Sequence, residues 1–407
     1  MMTYGIPSFK LEKTIIDAEI QVLRELGVEI RCGVEVGRDV TIPQLREQGF
    51  LAFYIAIGCQ GGRLPGAPGE HAAGTDIAVH FLHEALADEN QHMDGRVVVI
   101  GGGNVAVDCA RTAVRFGAEA VSMVCLESRD TMPASKDEIA EAEEEHIEIH
   151  TGWGPKELLQ DESGHVTAVV FKKCLRTIDP ETGKFAPVYD EAETITLPAD
   201  HVVFAIGQAI EWGGLLKDTK VTFHRGNYPV ADPLTYQTAE ADIFVGGDVY
   251  HGPKFVIDAI EEGKCAAESL HRYVHKGASL TIGRNRRDFV MLDKENFSVN
   301  CYDHAARQTE AVDPAVEAHS FRDARKTLTS EQVQTETARC LGCGASWVDP
   351  NKCIGCGVCT TKCVFDAIHL KRDHPECSTM MKAEDKLKGI ASMACKRLGQ
   401  TLRGRKG

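Results

Sequence analysis

The chain has 407 residues, which is enough for two to four domains with sizeable hydrophobic cores. Hydrophobic residues make up 43% and charged residues 26%, a balance typical of globular proteins that excludes disordered and fibrous classes. The formal net charge of −15 argues against nucleic acid as a partner, because nucleic-acid surfaces need clustered positive charge. No apolar run reaches the roughly 18–20 residues of a membrane span, and the first residues lack a signal-peptide pattern. The composition therefore predicts a cytoplasmic protein without a membrane span.

The first predicted elements lie upstream of residue 60. Apolar residues recur at helical spacing over 10–27 and stop at a glycine, which predicts a helix. The alternating segment 28–37 predicts a pair of strands, and the apolar run at 50–58 predicts a buried strand.

A second series of elements begins at residue 96. The continuous apolar run 96–100 is typical of a parallel strand covered on both faces. A glycine turn and a helix follow it, and the next strand covers 120–127. Strands and helices then alternate to about residue 270, which predicts an α/β fold.

The glycine turn after this strand fits the pattern G-x-G-x-x-A. The first glycine permits a tight turn, the third lets a pyrophosphate approach the backbone, and the small sixth residue permits close packing of helix on strand. The start of the helix then directs its positive dipole end toward the phosphates. We therefore predict a dinucleotide site, over a plain packing turn, at Gly101, Gly102, Gly103, Asn104, Val105 and Ala106.

An acidic residue, Glu127, ends the next predicted strand. A carboxylate at that position accepts hydrogen bonds from the adenosine ribose and repels a 2′-phosphate, so it favours NAD over NADP. Arg129 could offset this preference by pairing with a phosphate, and Glu127 could instead be a solvated charge at a strand end.

Cysteines are concentrated near the end of the chain, where the spacing C-x2-C-x2-C-x3-C occurs. Three thiolates at this spacing bind one [4Fe–4S] cluster, and the fourth cysteine of such a run typically binds a different cluster. A zinc ribbon and a redox dithiol are the alternatives. The candidate ligands of one or two clusters are Cys340, Cys343, Cys353, Cys356, Cys359, Cys363 and Cys377.

Within this set, Cys353, Cys356 and Cys359 would bind the first cluster, with Cys377 completing it. Cys340, Cys343 and Cys363 could bind a second cluster, although a serine stands where its third local ligand would be.

Several segments together resemble one family. They are YGIPSFKLEK (4–13), AIGCQGGRLPGAPGE (56–70), VVVIGGGNVAVDCARTAVRFGA (97–118), RDTMPAS, AIGQ (205–208) and IFVGGDVYHGPKFVIDAIEEGKCAAES (243–269). In this order they resemble the glutamate synthase small-subunit-like flavoprotein oxidoreductases, which are relatives of the pyridine nucleotide–disulfide reductases. The cysteine-rich segment resembles a bacterial ferredoxin domain.

The resemblance implies an α/β fold with a Rossmann-like nucleotide-binding domain inserted in a partial FAD-binding domain, plus a small ferredoxin-like iron–sulfur module. Asp248, after Gly247, would bind the ribityl chain of FAD, while Gly58 and Gly207 would mark the two crossings between domains. The implied domains are a partial FAD-binding domain (1–90), an NAD(P)-binding domain (91–207), the return segment of the FAD-binding domain (208–275), a linker (276–335), a 4Fe–4S domain (336–377) and a basic tail (378–407).

The family's first glycine loop, which binds the FAD pyrophosphate, is not among these residues, so we expect the chain alone to hold FAD weakly. We predict an oxidoreductase subunit or fragment that passes electrons between NAD(P)H, flavin and 4Fe–4S clusters to a ferredoxin-like acceptor or partner subunit. The alternatives are a glutamate synthase small subunit that feeds electrons to a large subunit and a non-catalytic iron–sulfur electron-transfer subunit without its own flavin.

Overall fold

The computed structural model describes residues 1–224, 226–284, 305–313, 320–340, 348, 353–362, 368–371 and 385–403. The chain divides into two compact units, Met1–Cys340 and Leu341–Gly407. No helix in the described ranges combines the length and apolarity needed to cross a membrane.

The helices described in the two units are α1 (Lys13–Glu25), α2 (Ile42–Glu47), α3 (Ala78–Ala87), α4 (Asn104–Arg115), α5 (Lys136–Glu144), α6 (Asp248–His251), α7 (Val256–Val274), α8 (Ser330–Ala338), α9 (Val358–Lys362) and α10 (Lys386–Arg403). The strands are β1 (Phe53–Ile55), β2 (Gly61–Gly62), β3 (Thr75–Ile77), β4 (Arg96–Ile100), β5 (Ala120–Cys125), β6 (Glu148–Thr151), β7 (Trp153–Gln160), β8 (Val166–Ile178), β9 (Phe185–Pro198), β10 (His201–Phe204), β11 (Gln208–Ala209) and β12 (Ile243–Val245).

A five-stranded parallel sheet forms the centre of the first unit, in the order β3-β10-β4-β5-β6. Successive residues of β4 point to opposite faces, so Val97 and Val99 pack in one core cluster while Val98 and Ile100 pack in another. The first cluster includes residues of α3 and α4. The predicted α/β class and the buried parallel strand at 96–100 are therefore confirmed.

The opposite face of this sheet packs against a three-stranded antiparallel sheet, β7-β8-β9. Leu158, Val166, Val169 and Phe171 are its buried contributions to the second core cluster. Strands β8 and β9, of 13 and 14 residues, continue beyond that cluster as a long hairpin.

Strands β1 and β12 pair in parallel and form a second, smaller sheet. Strand β11 pairs with β2 in antiparallel orientation, so the two chain segments that follow Gly58 and Gly207 run side by side. Within the described residues β1 has one ladder partner, so its other edge is unpaired.

Helix α1 and the segments after it carry many apolar side chains on the surface. Those at least 43% exposed are Ile15, Val22, Leu23, Leu26, Val28, Ile30, Val34, Phe50 and Leu51. The predicted strand pair at 28–37 is wrong, because this segment forms one isolated bridge, between Val36 and Val40. Alternation alone does not make a strand without a partner edge to satisfy its backbone.

A buried ion-pair cluster stabilises the helical side of the first unit. Glu145 accepts hydrogen bonds from Arg111 at 2.8 Å and from Arg115 at 2.7 Å, and all three side chains are less than 10% exposed. Arg115 also donates to the carbonyl of Ser320, and Phe321 packs in the core beside Phe116. This part of the predicted linker therefore packs within the core of the first unit.

Candidate functional site

The glycine loop joins β4 to α4 as the sequence predicts. Gly101 has φ +151°, and its N–H donates to the carbonyl of Val124 at 2.8 Å. Gly103 is the N-cap residue of α4, and it has no side chain to occupy the helix terminus. Ala106 is fully buried, so the small residue at this position lets α4 pack closely on the sheet.

The loop is held from outside by the segment before α5. The carbonyl of Gly102 accepts from the N–H of Ala134 at 3.0 Å, and the Asn104 side chain accepts from the N–H of Ser135 at 2.9 Å. These bonds leave the helix start with a defined backbone arrangement, as an anion site requires.

Glu127 lies just beyond the end of β5 and faces the loop. A Cβ placed on Gly102 would be 3.1 Å from its Oε2 atom, so the carboxylate lies directly beside the glycines. Arg129 instead points to α5 and pairs with Glu143 at 2.7 Å. The structure therefore brings Glu127, and not Arg129, to the glycine loop.

A cavity of about 740 Å³, here called the loop cavity, opens in front of these residues. Gly101, Gly102, Gly103, Glu127 and Gly207 all line it. Its far wall consists of residues from the antiparallel sheet that the sequence does not identify, namely Trp153, Pro155, Lys172, Phe185 and Tyr189. No local pattern marks them, because they reach the cavity through the pairing of β7, β8 and β9.

A second cavity, of about 920 Å³ and here called the Asp248 cavity, lies on the β1–β12 side. Gly58, Gly247 and Asp248 line it, and Gly247 has φ +73°, a conformation that favours glycine. The side chain of Asp248 is buried and accepts from the N–H of Lys254 at 3.2 Å, and burial raises the pKa of its carboxyl.

Six residues line both cavities, so the two spaces adjoin at a shared wall. The shared wall consists of Val79, Asn104, Val105, Gln208, Lys254 and Phe255. It includes the first residues of α4 and the residues just before α7. The N-termini of two helices therefore flank the junction.

A charged cluster at the edge of the Asp248 cavity was not identified from sequence. The ammonium of Lys10 forms ion pairs with both Asp108 and Glu138. Asp108 lies on α4, five residues after Gly103, and burial raises the pKa of its carboxyl to about 6. This cluster attaches the segment around Lys10 to the helix that carries the glycine loop.

The cysteine-rich segment belongs mainly to the second unit. Cys353, Cys356 and Cys359 are free and exposed, and Gly355 and Gly357 between them have positive φ. Exposed thiols on such a loop are chemically suited to iron–sulfur ligation, although no three metal-ligating side chains converge in the described ranges. Cys340 is exposed after α8, and the predicted ligands Cys343, Cys363 and Cys377 lie outside the described residues.

Two family models match the chain. Residues 38–263 match the pyridine nucleotide-disulphide oxidoreductase model, and residues 346–369 match the 4Fe-4S binding domain model. The family of the first model binds FAD and NAD(P), and the fold and the glycine loop between β4 and α4 are consistent with it. In the Asp248 cavity a buried carboxylate and a helix start are groups suited to a flavin nucleotide.

The chain is similar to the beta subunit of an NADP(+)-dependent formate dehydrogenase from Moorella thermoacetica, with 33% identity over 84% of this chain and 49% of that protein. It is also 34% identical to the glutamate synthase [NADPH] small chain of Halomonas elongata, over 67% of this chain and 60% of that one. It thus spans about half to three fifths of the length of these relatives.

Among solved structures, the chain is similar to Mycobacterium tuberculosis FprA in complex with NADPH, with a TM-score of 0.54 and 17% identity over 67% of this chain and 74% of that one. This similarity supports the fold. Together with the match over 38–263, these findings show that the chain belongs to the pyridine nucleotide-disulphide oxidoreductase family and carries a 4Fe–4S binding domain.

Proposed function

We propose that the chain is a subunit of a redox enzyme that passes electrons between NAD(P)H, flavin and 4Fe–4S clusters, and on to a partner subunit. The observation that carries this proposal is the shared wall between the loop cavity and the Asp248 cavity. A hydride donor in one cavity and its acceptor in the other would meet where the two cavities adjoin, and hydride transfer needs such proximity.

In this proposal the residues of the chain bind the nicotinamide nucleotide and the flavin and orient them toward each other. Gly101 and Gly103 hold the pyrophosphate of the nicotinamide nucleotide at the start of α4, and Glu127 binds its ribose. Asp248 and the start of α7 hold the flavin side. Flavin, when bound, converts an electron pair into single electrons, which an iron–sulfur cluster accepts one at a time.

We further propose that NADH is preferred over NADPH. Glu127 faces the loop, and Arg129, the nearby cation that could bind a 2′-phosphate, is paired with Glu143. The names of the two relatives specify NADP or NADPH, so the preference proposed here rests on this chain's own side chains.

The iron–sulfur domain favours a partner subunit with its own redox site. The formate dehydrogenase subunit matches 84% of the chain and the glutamate synthase chain 67%, so the former resembles more of it. We therefore favour a subunit of a dehydrogenase-type complex over a glutamate synthase small subunit.

The test is an anaerobic titration of the full chain, prepared with iron and with added FAD. NADH should bleach the visible absorbance of bound FAD and then reduce the clusters, which electron paramagnetic resonance detects. If the chain binds NADH and iron but binds no FAD even at a large excess of added FAD, the alternative of a non-catalytic electron-transfer subunit without its own flavin replaces this proposal. If metal analysis finds zinc in place of iron, the iron–sulfur function is wrong.

A further inference from the structure

One end of the loop cavity adjoins the Asp248 cavity at the shared wall, and the residues of its other end line only the loop cavity. Leu126, Glu127, Trp153, Lys172 and Tyr189 line the loop cavity but do not line the Asp248 cavity. A dinucleotide whose pyrophosphate lies at Gly101–Gly103 has one half on each side of the loop. The hydride-donating ring must face the shared wall, so the other half extends toward the end that contains Glu127.

Backbone hydrogen bonds attach the antiparallel sheet to this end of the cavity. The N–H of Gly152 donates to the carbonyl of Glu127 at 2.9 Å, and the N–H of Cys174 donates to the carbonyl of Gly152 at 2.8 Å. Cys174 is in turn the register partner of Tyr189 across β8 and β9. The position of the hairpin is therefore linked directly to that of Glu127.

The ring of Tyr189 is held tightly in this arrangement. A Cβ on Gly154 would lie 2.6 Å from its Cε1 atom and 2.7 Å from Leu126 Cδ2, so both side chains pack on the bare backbone of Gly154. The Lys172 ammonium lies 4.5 Å from the centre of the ring and bonds Glu191 at 2.7 Å. The aromatic surface that borders the cavity is thus fixed before any ligand binds.

We propose that Tyr189, together with Phe185 on the same hairpin, forms the binding wall for the adenine ring of the nicotinamide dinucleotide. This inference rests on the proposed nucleotide function and assigns the adenine-binding residues within it. An adenine ring presents a flat π-face, and packing such a base on an aromatic side chain contributes about 1–3 kcal/mol. Glu127 then contacts the ribose while the hairpin contacts the base, so two separate elements recognise the adenosine.

The experiment compares the two halves of the dinucleotide by titration calorimetry on the full chain. ADP-ribose carries the adenosine half, and reduced nicotinamide mononucleotide carries the other half. Tyr189→Ala should weaken binding of NADH and ADP-ribose by about 10- to 100-fold and leave the mononucleotide unchanged. Tyr189→Phe, the matched control, keeps the ring and should bind all three within about threefold of wild type.

A second variant distinguishes a loss of binding from a loss of folding in Tyr189→Ala. Phe185 is 62% exposed, so Phe185→Ala leaves the fold intact and should show the same selective loss for ADP-ribose. If both alanine variants bind ADP-ribose as wild type does, or lose the mononucleotide equally, the adenine wall is wrong while the nucleotide function stands. If the wild type binds neither NADH nor ADP-ribose, the proposed function itself fails.

Discussion

Alanine substitution at two glycines of the same loop should change the stability of the fold by different amounts. At Gly101, with φ +151°, an added Cβ would lie 2.9 Å from the carbonyl carbon of Ala205 and closer still to its oxygen. That carbonyl cannot withdraw easily, because the N–H of Ala205 donates to Ile100 at 2.7 Å. At Gly103 the backbone is extended, with φ −95°, and an added Cβ meets no atom within 4 Å.

The expected magnitudes follow from these surroundings. Gly101→Ala combines a strained backbone, about 1–3 kcal/mol, with overpacking of a similar size, so the free energy of unfolding should fall by about 2–6 kcal/mol. Gly103→Ala should change it by less than about 1 kcal/mol. The methyl group would nevertheless occupy the space where phosphate approaches the helix start. Losing a charged hydrogen bond of about 1.5–3 kcal/mol there weakens NADH binding by about 10- to 100-fold.

Urea unfolding and NADH titration of both variants and wild type measure the two effects separately. Gly103→Ala should keep the wild-type unfolding midpoint and lose nucleotide affinity, whereas Gly101→Ala should lose both. A Gly103→Ala protein that binds NADH normally would refute the placement of the pyrophosphate at this helix start. A Gly101→Ala protein of unchanged stability would refute the packing argument.

Three further predictions concern charged residues. Glu127→Arg should weaken NADH binding and strengthen NADPH binding by about tenfold each, because it replaces a carboxylate that repels the 2′-phosphate with a cation; dissociation constants for both nucleotides decide this. Burial raises the pKa of Asp108 to about 6, so the folded protein binds the proton of this carboxyl more tightly than the unfolded chain does. The stabilisation that the bound proton contributes therefore falls as pH rises from about 4 to about 6. Urea unfolding at pH 4.5 and pH 7 should therefore show wild type losing stability relative to Asp108→Asn as pH rises, and the reverse trend would contradict the burial. Glu145→Gln, which leaves two buried guanidiniums short of a partner, should cost about 3 kcal/mol in urea unfolding, against less than about 1 kcal/mol for the exposed control Glu143→Gln.

Local sequence patterns were sufficient to predict the central strand, the glycine loop and the alternating α/β order. Burial of a strand on both faces and a tight turn can each be recognised within a few residues of sequence. The far wall of the loop cavity could not be predicted in this way. Tyr189 reaches Leu126 through strand register and a backbone contact at Gly154, which are properties of pairings between distant segments. The ion pairs of Lys10 with Asp108 join residues about a hundred positions apart, and no spacing rule connects them. The error at 28–37 has the same origin, since an alternating segment becomes a strand through its neighbours.

The unpaired edge of β1 and the apolar surface around α1 have a practical consequence for the isolated chain. Within the described residues this strand edge offers unmet backbone donors and acceptors to a second chain, and the exposed aliphatic side chains of α1 and the segments after it add non-directional hydrophobic attraction. The purified protein should accordingly associate with itself as its concentration rises, and light scattering should detect particles larger than one chain. Co-expression with a polypeptide that covers this surface should raise the yield of monodisperse material.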